Sequence, residues 1–250
     1  MSFGLIIVGD ELLRGKRQDR HLGRVVEMLA ARGLELAWAQ ILGDDMALLE
    51  ERFRTTLASD DVVLSTGGIG ATPDDLTREA VARAADVGLA LHPEGEQILR
   101  ERFAERATPQ RMKMVEFPQG ARLIPNPVNR IPGFSLGDHH FVPGFPNMAW
   151  PMLEWVLDTY YTHLQDDTAK HEYSYKVLAP ESELIPVMKT LLAIHTQVKV
   201  SSLPSTERHG EVELSVRGPA EQADAAAEQL TRQLSADGLE WRLLDGAPGD

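Results

Sequence analysis

The first half of the chain alternates short apolar runs with amphipathic segments, and this alternation limits the fold more than any other feature. Apolar runs that suit strands occupy residues 3–8, 34–42 and 61–65. Between them, residues 21–31 and 44–58 carry apolar side chains at helical spacing. Strands that alternate with helices build a mostly parallel sheet covered by helices on both faces. The sequence therefore predicts a three-layer α/β domain.

A second, smaller domain is predicted after the polar segment LQDDTAK at residues 164–170, which lacks apolar periodicity. The elements predicted there follow the order β-α-β-β-α with a final strand, at residues 173–178, 181–193, 197–203, 211–217, 220–234 and 241–244. This order indicates a small α+β unit. The predicted domains are residues 1–163 and residues 171–250.

Charge and composition narrow the classes of partner. The 250 residues include 38 acidic and 25 basic side chains, for a formal net charge of −13, and no cysteine, which excludes disulfides and thiolate chemistry. Proteins that wrap nucleic acid or lie on anionic membranes depend on basic patches, so neither partner is expected. The apolar run at residues 5–8 is too short for a signal peptide or a membrane span. We expect a cytoplasmic protein with a small-molecule partner.

The segment TGGIGATPDDLT at residues 66–77 combines a glycine-rich turn with two adjacent carboxylates after a predicted strand. Ligands of open parallel sheets bind at the carboxyl ends of strands, where glycines let backbone N–H groups approach a phosphate. Thr72, Pro73 and Asp75 satisfy the rules for a helix start, which makes Asp75 a capping residue and leaves Asp74 free. A free carboxylate repels phosphate unless a divalent cation lies between them. The segment predicts a phosphate and metal site, with a merely tight strand-to-helix turn as the alternative.

Two other predicted strands are also followed by acids. Asp10 and Glu11 come with Gly9 directly after the first strand, and Asp44 follows the second. Each acid taken alone fits a polar loop or a helix cap, and Asp44 is a suitable N-cap. Because the carboxyl ends of parallel strands meet at one edge of a sheet, the acids together favour a joint site.

The region rich in proline and glycine contains two rigid turns, PNP at residues 125–127 and PGFP at residues 143–146. They either direct the path of the loops or present Asn126 and the backbone near Gly144 to a ligand. His139 and His140 are adjacent on a predicted strand, so their side chains point to opposite faces and are not expected to form a metal pair.

Four motifs, in this order and spacing, resemble one family. GDELLRG, VVLSTGGIGATPDDLTREAV, PNPVNRIPGF and FVPGFP are similar to the MoaB/Mog molybdopterin-binding fold as it occurs in the N-terminal part of CinA (competence/damage-inducible) proteins. The resemblance covers about residues 3–160 and implies a three-layer α/β domain that forms homo-oligomers. The smaller unit resembles the KH-like domain of CinA proteins, but the stretch between its first helix and the next strand has no GxxG loop for nucleic acid.

The resemblance implies one of two activities. Mog-type relatives bind molybdopterin and in some cases adenylylate it with ATP and Mg²⁺, whereas CinA-type relatives are associated with metal-dependent hydrolysis of ADP-ribose, and a related eukaryotic domain cleaves FAD. The leading hypothesis is a nucleotide pyrophosphatase that acts on ADP-ribose or FAD-like substrates with Mg²⁺, Mn²⁺ or Co²⁺. The alternatives are a molybdopterin-binding or adenylylating protein of molybdenum cofactor biosynthesis, and a non-catalytic binding or assembly module. The C-terminal amidohydrolase domain of many CinA proteins has no counterpart in the sequence, so deamidation of nicotinamide mononucleotide is not expected.

The resemblance also implies roles for single residues. Its functional acid falls on Asp75, whereas the local pattern favours Asp74, and we retain both. The chain departs from the family at Asp10, at Ala71 and in the segment KRQDRHLG, where the family has an asparagine-containing segment that concerns the distal half of the ligand. The expected catalytic residues are Asp75, Asp44 and Asp74, and the expected metal ligands are these three with Glu11. The expected substrate and phosphate contacts are Gly9, Asp10, Glu11, Thr66, Gly67, Gly68, Ile69, Gly70, Thr77, Asn126 and Gly144.

Overall fold

The computed structural model describes residues 2–164, 170–206, 208 and 210–245. The chain divides into two units, residues 1–165 and residues 166–250. Most of the polar segment predicted to join two domains, residues 165–169, lies outside the described residues. Among the helices that the structure describes, none is both long and apolar enough to cross a bilayer.

The first unit is built on a mostly parallel sheet. Its described strands are β1 (Phe3–Val8), β2 (Leu36–Leu42), β3 (Val62–Thr66), β4 (Leu89–Leu91), β5 (Glu116–Pro118), β6 (Arg122–Ile124), β7 (Gly133–Leu136) and β8 (His139–Val142). Six of them form one sheet in the order β2-β1-β3-β8-β7-β6, while β4 pairs with β5. The first four strands of that order are parallel. At one edge, β7 pairs antiparallel with β8, and β6 pairs antiparallel with β7. The predicted α/β fold class is confirmed.

Helices cover both faces of this sheet. The described helices of the first unit are α1 (Asp10–Leu13), α2 (His21–Ala30), α3 (Met46–Leu57), α4 (Thr77–Ala84), α5 (Pro93–Phe103), α6 (Pro109–Met112) and α7 (Pro146–Tyr160), with 3-10 turns at Ala104–Arg106, Lys113–Val115 and Thr162–Leu164. Apolar residues of α2 and α7 pack in one cluster, and those of α3 to α6 pack in another. The unit therefore has the three layers that the sequence predicts.

The central strand β1 shows why its sequence requires this arrangement. All six residues of FGLIIV are buried. Because successive side chains of a strand point to opposite faces, Leu5 and Ile7 join the cluster under α2 and α7, whereas Ile6 and Val8 join the other cluster. A continuous apolar run is stable as a strand only where both faces are covered.

The parallel strands bring four chain segments to one edge of the sheet. β1 ends at Val8, β2 at Leu42, β3 at Thr66 and β8 at Val142. The backbone N–H of Gly67 donates to the carbonyl of Val142 at 3.0 Å, so the glycine-rich segment leaves β3 beside the end of β8. This edge holds the candidate functional site.

The second unit is an antiparallel sheet with two helices. Its elements are β9 (Lys170–Leu178), α8 (Glu181–Ile194), β10 (Lys199–Pro204), β11 (Glu211–Pro219), α9 (Ala220–Ala236) and β12 (Glu240–Asp245). The strand order is β10-β11-β9-β12, and every pairing is antiparallel among the described residues. Val177 and Leu214 of the sheet pack with Leu184 of α8 and Leu230 of α9. The element order agrees with the predicted β-α-β-β-α unit and its final strand.

The two adjacent histidines of β8 are buried on opposite faces of the first sheet, as their spacing predicts. On one face, Nε2 of His139 lies 2.9 Å from Oγ1 of Thr56. On the other, His140 contacts Oγ of Ser135 through Nδ1 at 2.8 Å and the hydroxyl of Tyr161 through Nε2 at 2.6 Å. Each imidazole is thus held by hydroxyl groups inside the core, and the two do not converge on a common ligand.

These histidines predict a loss of stability in acid. Burial lowers the pKa of His139 to about 4 and that of His140 to about 3, while histidines of the unfolded chain titrate near 6.5. Below about pH 6.5 the unfolded state therefore binds protons that the folded state does not. The free energy of unfolding is highest above that pH and should fall by about 2 kcal/mol per histidine between pH 6.5 and 5.

Urea unfolding of the wild type and of His139→Gln and His140→Gln across this pH range tests the prediction. Each variant lacks one titrating group, so its stability should vary less steeply with pH. A pH dependence identical to that of the wild type in both variants would show that the two imidazoles do not cause it.

Candidate functional site

A cleft of about 510 Å³ lies at the carboxyl edge of the first sheet. The predicted residues that line it are Gly9, Glu11, Asp44, Gly67, Gly68, Ile69, Gly70, Asp74, Asp75 and Gly144. The three acidic strand ends and the glycine turn therefore share one cavity, as the sequence predicts. Arg17, Met114, Asn129, Ile131, Phe145 and Met148 also line the cleft, and sequence reasoning did not select them.

The glycine turn is shaped by two positions that exclude side chains. Gly67 and Gly68 have φ angles of +98° and +68°, a region that residues with a side chain rarely occupy. A Cβ at Gly67 would overlap the carbonyl oxygen of Val8, and one at Gly68 would overlap Oγ1 of Thr77. Both positions thus require glycine for their conformation and for the close approach of neighbouring atoms.

Thr77 and Arg78 hold the glycine turn through its carbonyl groups. Thr77 is fully buried; its Oγ1 donates to the carbonyl of Gly67 at 3.1 Å and its N–H donates to that of Gly68 at 3.0 Å. Arg78, also buried, donates from Nη2 to the carbonyl of Gly70 at 2.6 Å. Within the part of the chain that the structure describes, no group accepts a hydrogen bond from the N–H of Gly68, Ile69 or Gly70. A rigid turn with free amides is suited to bind an anion.

The helix after the turn begins later than its capping signals predict. Helix α4 starts at Thr77, not at Pro73. The carboxylate of Asp75 instead closes a loop, since Oδ2 accepts from the N–H of Thr72 at 2.8 Å and from its hydroxyl. The interpretation of Asp75 as a helix cap is therefore wrong, although its predicted link to Thr72 exists.

The two adjacent aspartates of this loop differ in their surroundings. Asp75 has one carboxylate oxygen engaged by Thr72. Asp74 is exposed at the rim of the cleft, and hydrogen bonding to Thr72 lowers its pKa below the usual range. Asp74 is thus ionised at neutral pH beside the glycine turn, while Asp75 also holds the loop.

Asp10 and Asp44, which follow two neighbouring strands, each accept a hydrogen bond from the other's backbone N–H group. The N–H of Asp10 donates to Oδ2 of Asp44 at 3.0 Å, and the N–H of Asp44 donates to Oδ1 of Asp10 at 3.2 Å. Asp10 also forms an ion pair with Arg14 at 2.6 Å. Helix α3 is capped by Asp45, whose Oδ1 accepts from Leu48, and not by Asp44 as its position suggested. Asp44 is therefore available to the cleft.

Negative charge accumulates around Asp44. Burial raises the pKa of Asp44, the hydrogen bond from the Asp10 backbone partly offsets this, and the charges of Asp10, Glu11 and Asp74 raise it further. Glu11 has Arg17 at 3.9 Å, a distance at which an exposed pair contributes little. A cation between these carboxylates would relieve their repulsion.

The carboxylates of the cleft could hold a metal ion only together with other ligands. Among the described residues, no three histidine, aspartate or glutamate side chains lie close enough to hold an ion by themselves. Mg²⁺ is commonly bound by one or two carboxylates, with water and substrate phosphates completing its shell. Asp44 and Asp74 both line the cleft beside the glycine turn, and they are the carboxylates that could take this part.

Four predicted contacts do not line this cleft. One is Asp10, whose Oδ1 accepts from the backbone N–H of Asp44 at 3.2 Å. Asn126 is buried, and its Oδ1 accepts from the N–H of Val128 at 3.0 Å, so it shapes the loop while Asn129 lines the cleft. Thr66 is buried at the end of β3 and lines a neighbouring cavity. Thr77 supports the turn from beneath.

Comparisons with known proteins agree with this fold and site. Residues 4–163 match the model of a family described as a probable molybdopterin binding domain. A protein from Pyrobaculum arsenaticum is 29% identical, over 98% of this chain and 95% of its own. A CinA-like protein from Desulfosudis oleivorans is 35% identical over 60% of this chain, but the match spans 38% of that protein. The crystal structure of the protein CinA, of unknown function, from Thermoplasma acidophilum has a TM-score of 0.57 at 28% identity and covers 63% of this chain and 97% of that one.

The parallel sheet, the glycine turn and the acids at its edge define a protein with a molybdopterin-binding type of α/β fold. The chain belongs to the family of probable molybdopterin binding domains, of the MoaB/Mog type, and its first unit corresponds to the CinA-type N-terminal region. The family match indicates a small-molecule ligand, a pterin or a nucleotide.

Proposed function

We propose that the chain is a divalent-metal-dependent nucleotide pyrophosphatase that acts on ADP-ribose or FAD-like substrates. The observation that carries the proposal is that acids from three strand ends, Glu11, Asp44 and Asp74, line one cleft together with the amides of Gly68 to Gly70. Such a site places negative side chains beside a phosphate position. This arrangement is favourable when a cation joins the two.

The residues have distinct roles in this proposal. Amides of Gly68 to Gly70 bind one phosphate, and Thr77 and Arg78 keep the turn rigid. Asp44 and Asp74 would hold the ion together with water and the phosphates of the substrate, near Glu11 and the unengaged oxygen of Asp75. When bound, a divalent cation supplies offsetting charge for the pyrophosphate and lowers the pKa of bound water.

The reaction is a hydrolysis that needs no further reactant. The oxygen of water forms a bond to one phosphorus, the bond from the bridging oxygen to that phosphorus breaks, and a carboxylate accepts the proton of water. Glu11, which lines the cleft, is the carboxylate that we assign to accept it. ADP-ribose and water then become AMP and ribose 5-phosphate, and FAD becomes AMP and FMN.

Turnover by the purified 250-residue chain tests the proposal. ADP-ribose and FAD are incubated separately with Mg²⁺, Mn²⁺ or Co²⁺, and AMP is measured by chromatography. We expect AMP with at least one ion, none after addition of EDTA, and recovery when the ion is restored in excess. Absence of AMP under every condition would refute the proposal.

A second candidate function, molybdopterin binding or adenylylation, is favoured by the family match itself. It uses the same phosphate turn but a pterin in place of a nucleoside. Pterin fluorescence in the purified protein, or adenylylated pterin formed from ATP and Mg²⁺, would support it. Nucleotide hydrolysis without pterin binding would favour the first proposal.

An aromatic side chain at the cleft predicts a stacking contact. Phe145 lines the cleft and is 55% exposed, although exposing a large apolar ring to water is unfavourable. The planar ring of a base or a pterin can cover it. We expect Phe145→Ala to weaken ligand binding by about 10-fold, since stacking on an aromatic residue contributes about 1–3 kcal/mol.

Calorimetric titration with AMP compares Phe145→Ala with Phe145→Tyr, which retains the ring and should bind like the wild type. Equal affinity of the alanine variant and the wild type would show that the ring takes no part in binding.

A further inference from the structure

Arg78 places a positive charge inside the first unit. Its residue is only 7% exposed. Nη1 donates to the carbonyl oxygen of Glu116 at 3.2 Å and to that of Lys113, and Nη2 donates to the carbonyl oxygen of Gly70 at 2.6 Å. Within the described part of the chain, none of these acceptors is a carboxylate. Because the guanidinium group of arginine stays protonated in proteins, a full charge is buried here on neutral partners.

This burial is unfavourable unless another group offsets the charge. Removing a charge from water costs free energy that carbonyl groups repay only in part. Burial lowers the pKa of Arg78, and the charges of Asp75, Glu116 and Glu79 oppose that change from a distance. A bound anion close to Arg78 would add to this compensation.

Arg78 and the cleft lie on opposite sides of the glycine turn. Residues 67–72 line the cleft, whereas Thr77 and Arg78 are not among the described residues that do so. Both side chains nevertheless hold carbonyl groups of the turn. The turn therefore separates the buried cation from the position of a ligand in the cleft.

The held carbonyl groups set the direction of the amides that follow them. These carbonyl groups are those of Gly67, Gly68 and Gly70. In a planar trans peptide, the C=O group and the next N–H group point in opposite directions. The N–H groups of Gly68, Ile69 and Ala71 are thus directed away from Thr77 and Arg78, toward the cleft. In the described chain, no group accepts a hydrogen bond from the N–H of Ala71.

The buried charge and these amides favour an anion at the same place. Carboxylates of the cleft, from Glu11, Asp44 and Asp74, repel an anion there. The attraction between Arg78 and an anion acts through protein rather than through water, so it is weakened less than it would be in solution. Arg78 therefore offsets part of the repulsion without entering the cleft.

We propose that Arg78 is a positioning residue for a phosphate group of the substrate: it orients the peptide between Gly70 and Ala71 so that the N–H of Ala71 contacts the anion, and its buried charge attracts the anion through the turn. This inference rests on the proposed function for the identity of the anion as a nucleotide phosphate.

Two ligands that differ by one charge test the electrostatic part. AMP carries about two negative charges near pH 8, since its phosphate has a second pKa of about 6. Its methyl ester carries one, with the same nucleoside. Affinities are measured by calorimetry with Mg²⁺ present. We expect Arg78→Met to weaken binding of AMP about 100-fold and of the ester about 10-fold, because each unit of ligand charge loses a similar attraction.

Arg78→Lys separates the charge from the geometry. An ammonium group keeps the charge, but it cannot span the carbonyl groups of two segments as a guanidinium group does. We expect Arg78→Lys to weaken both ligands by the same factor, about 10-fold, and to keep the wild-type preference for AMP over the ester. A role confined to supporting the turn would not distinguish the two ligands in either variant.

Backbone resonances test the geometric part in the wild type. In a titration of the ¹⁵N-labelled chain with AMP, the amide signals of Gly68, Ile69 and Ala71 should shift. The shift of Ala71 should be smaller in Arg78→Lys at saturating AMP. An Ala71 signal that does not move in the wild type would overturn the inference.

Arg83→Met is the matched control. It removes the same charge from the same helix, where Arg83 pairs with Glu79 at 2.5 Å on the surface. Because exposed pairs contribute little, this variant should bind both ligands within about twofold of the wild type.

The outcomes separate this inference from the proposed function. Equal weakening of both ligands by Arg78→Met, or absence of AMP binding in the wild type, would overturn the inference. If circular dichroism shows that Arg78→Met does not fold, Arg78→Lys decides, and loss of its preference for AMP would contradict the inference. Formation of AMP from ADP-ribose or FAD decides the proposed function independently of these results.

Discussion

The variant Asp44→Asn is expected to hydrolyse ADP-ribose with a kcat/KM about 100-fold or more below that of the wild type, the usual effect of removing a group that positions a metal or transfers a proton. The amide oxygen of asparagine can still accept from the backbone N–H of Asp10, as the carboxylate does at 3.0 Å. The substitution removes a negative charge that Asp10, Glu11 and Asp74 oppose. The fold should therefore be retained while the activity is lost.

Asp45→Asn is the matched control for this measurement. Asp45 is the next residue along the chain, and its carboxylate caps helix α3 by accepting from Leu48 at 2.8 Å. Asparagine caps helices as well as aspartate does, so the free energy of unfolding should match that of the wild type. The kcat/KM should stay within about twofold of the wild-type value. Steady-state kinetics with the activating ion decide the outcome. If Asp44→Asn retained full activity, Asp44 would have no catalytic role, and unchanged metal and nucleotide binding in Asp44→Asn and Asp75→Asn would favour the non-catalytic binding module.

Gly67→Ala is expected to lower the free energy of unfolding of the first unit by about 3 kcal/mol or more. The strain of a side chain at positive φ and the overlap of its Cβ with a neighbouring atom both contribute. Gly67 has a φ of +98°, and a Cβ there would overlap the carbonyl oxygen of Val8 in the central strand. Neither atom is at the end of a flexible side chain, so the turn or the strand must move. The displaced turn should also bind phosphate groups more weakly.

Gly120→Ala isolates the contribution of backbone strain. Gly120 has a φ of +87°, and a Cβ there would meet no atom within 4 Å. Its substitution should cost about 1–2 kcal/mol, the cost of a side chain at positive φ alone. Urea unfolding followed by tryptophan fluorescence reports mainly on the first unit, which contains Trp38, Trp150 and Trp155. Equal losses in the two variants would show that the overlap with Val8 is relieved at no cost.

Much of the fold could be predicted because its elements obey local rules. The buried run of β1 needs cover on both faces whatever its neighbours are. The elements of the second unit alternate clearly enough to be ordered correctly. Helix α4 was placed too early because Thr72, Pro73 and Asp75 satisfy the local rules for a helix start, whereas Thr77 is held under the turn by Gly67 and Gly68.

The residues of the candidate site also form two groups, those recognisable from the sequence and those that only the folded structure brings to the site. Its glycine turn and acids are recognisable because each follows a strand end in the sequence. Other members depend on distant partners: Asn129, not Asn126, lines the cleft, and Arg17 reaches it from a segment that departs from the family pattern. His21 acquires its unpaired nitrogen only because the other nitrogen meets Gly144, more than a hundred residues away.

The amino-acid sequence by itself determined the three-layer α/β domain, the position of the glycine turn and the presence of acids at strand ends. These features follow from periodicity and glycine placement, which act within a few residues. Only the tertiary structure decided which acid caps a helix and which faces the cleft, since Asp44 and Asp45 are both suitable caps in sequence. It also decided which polar atoms of the described chain lack partners, because Oγ1 of Thr66 and Nδ1 of His21 lose contact with water only when the first unit folds. Charge repulsion and unsatisfied hydrogen bonds depend on distances in space, and these arise when the chain folds.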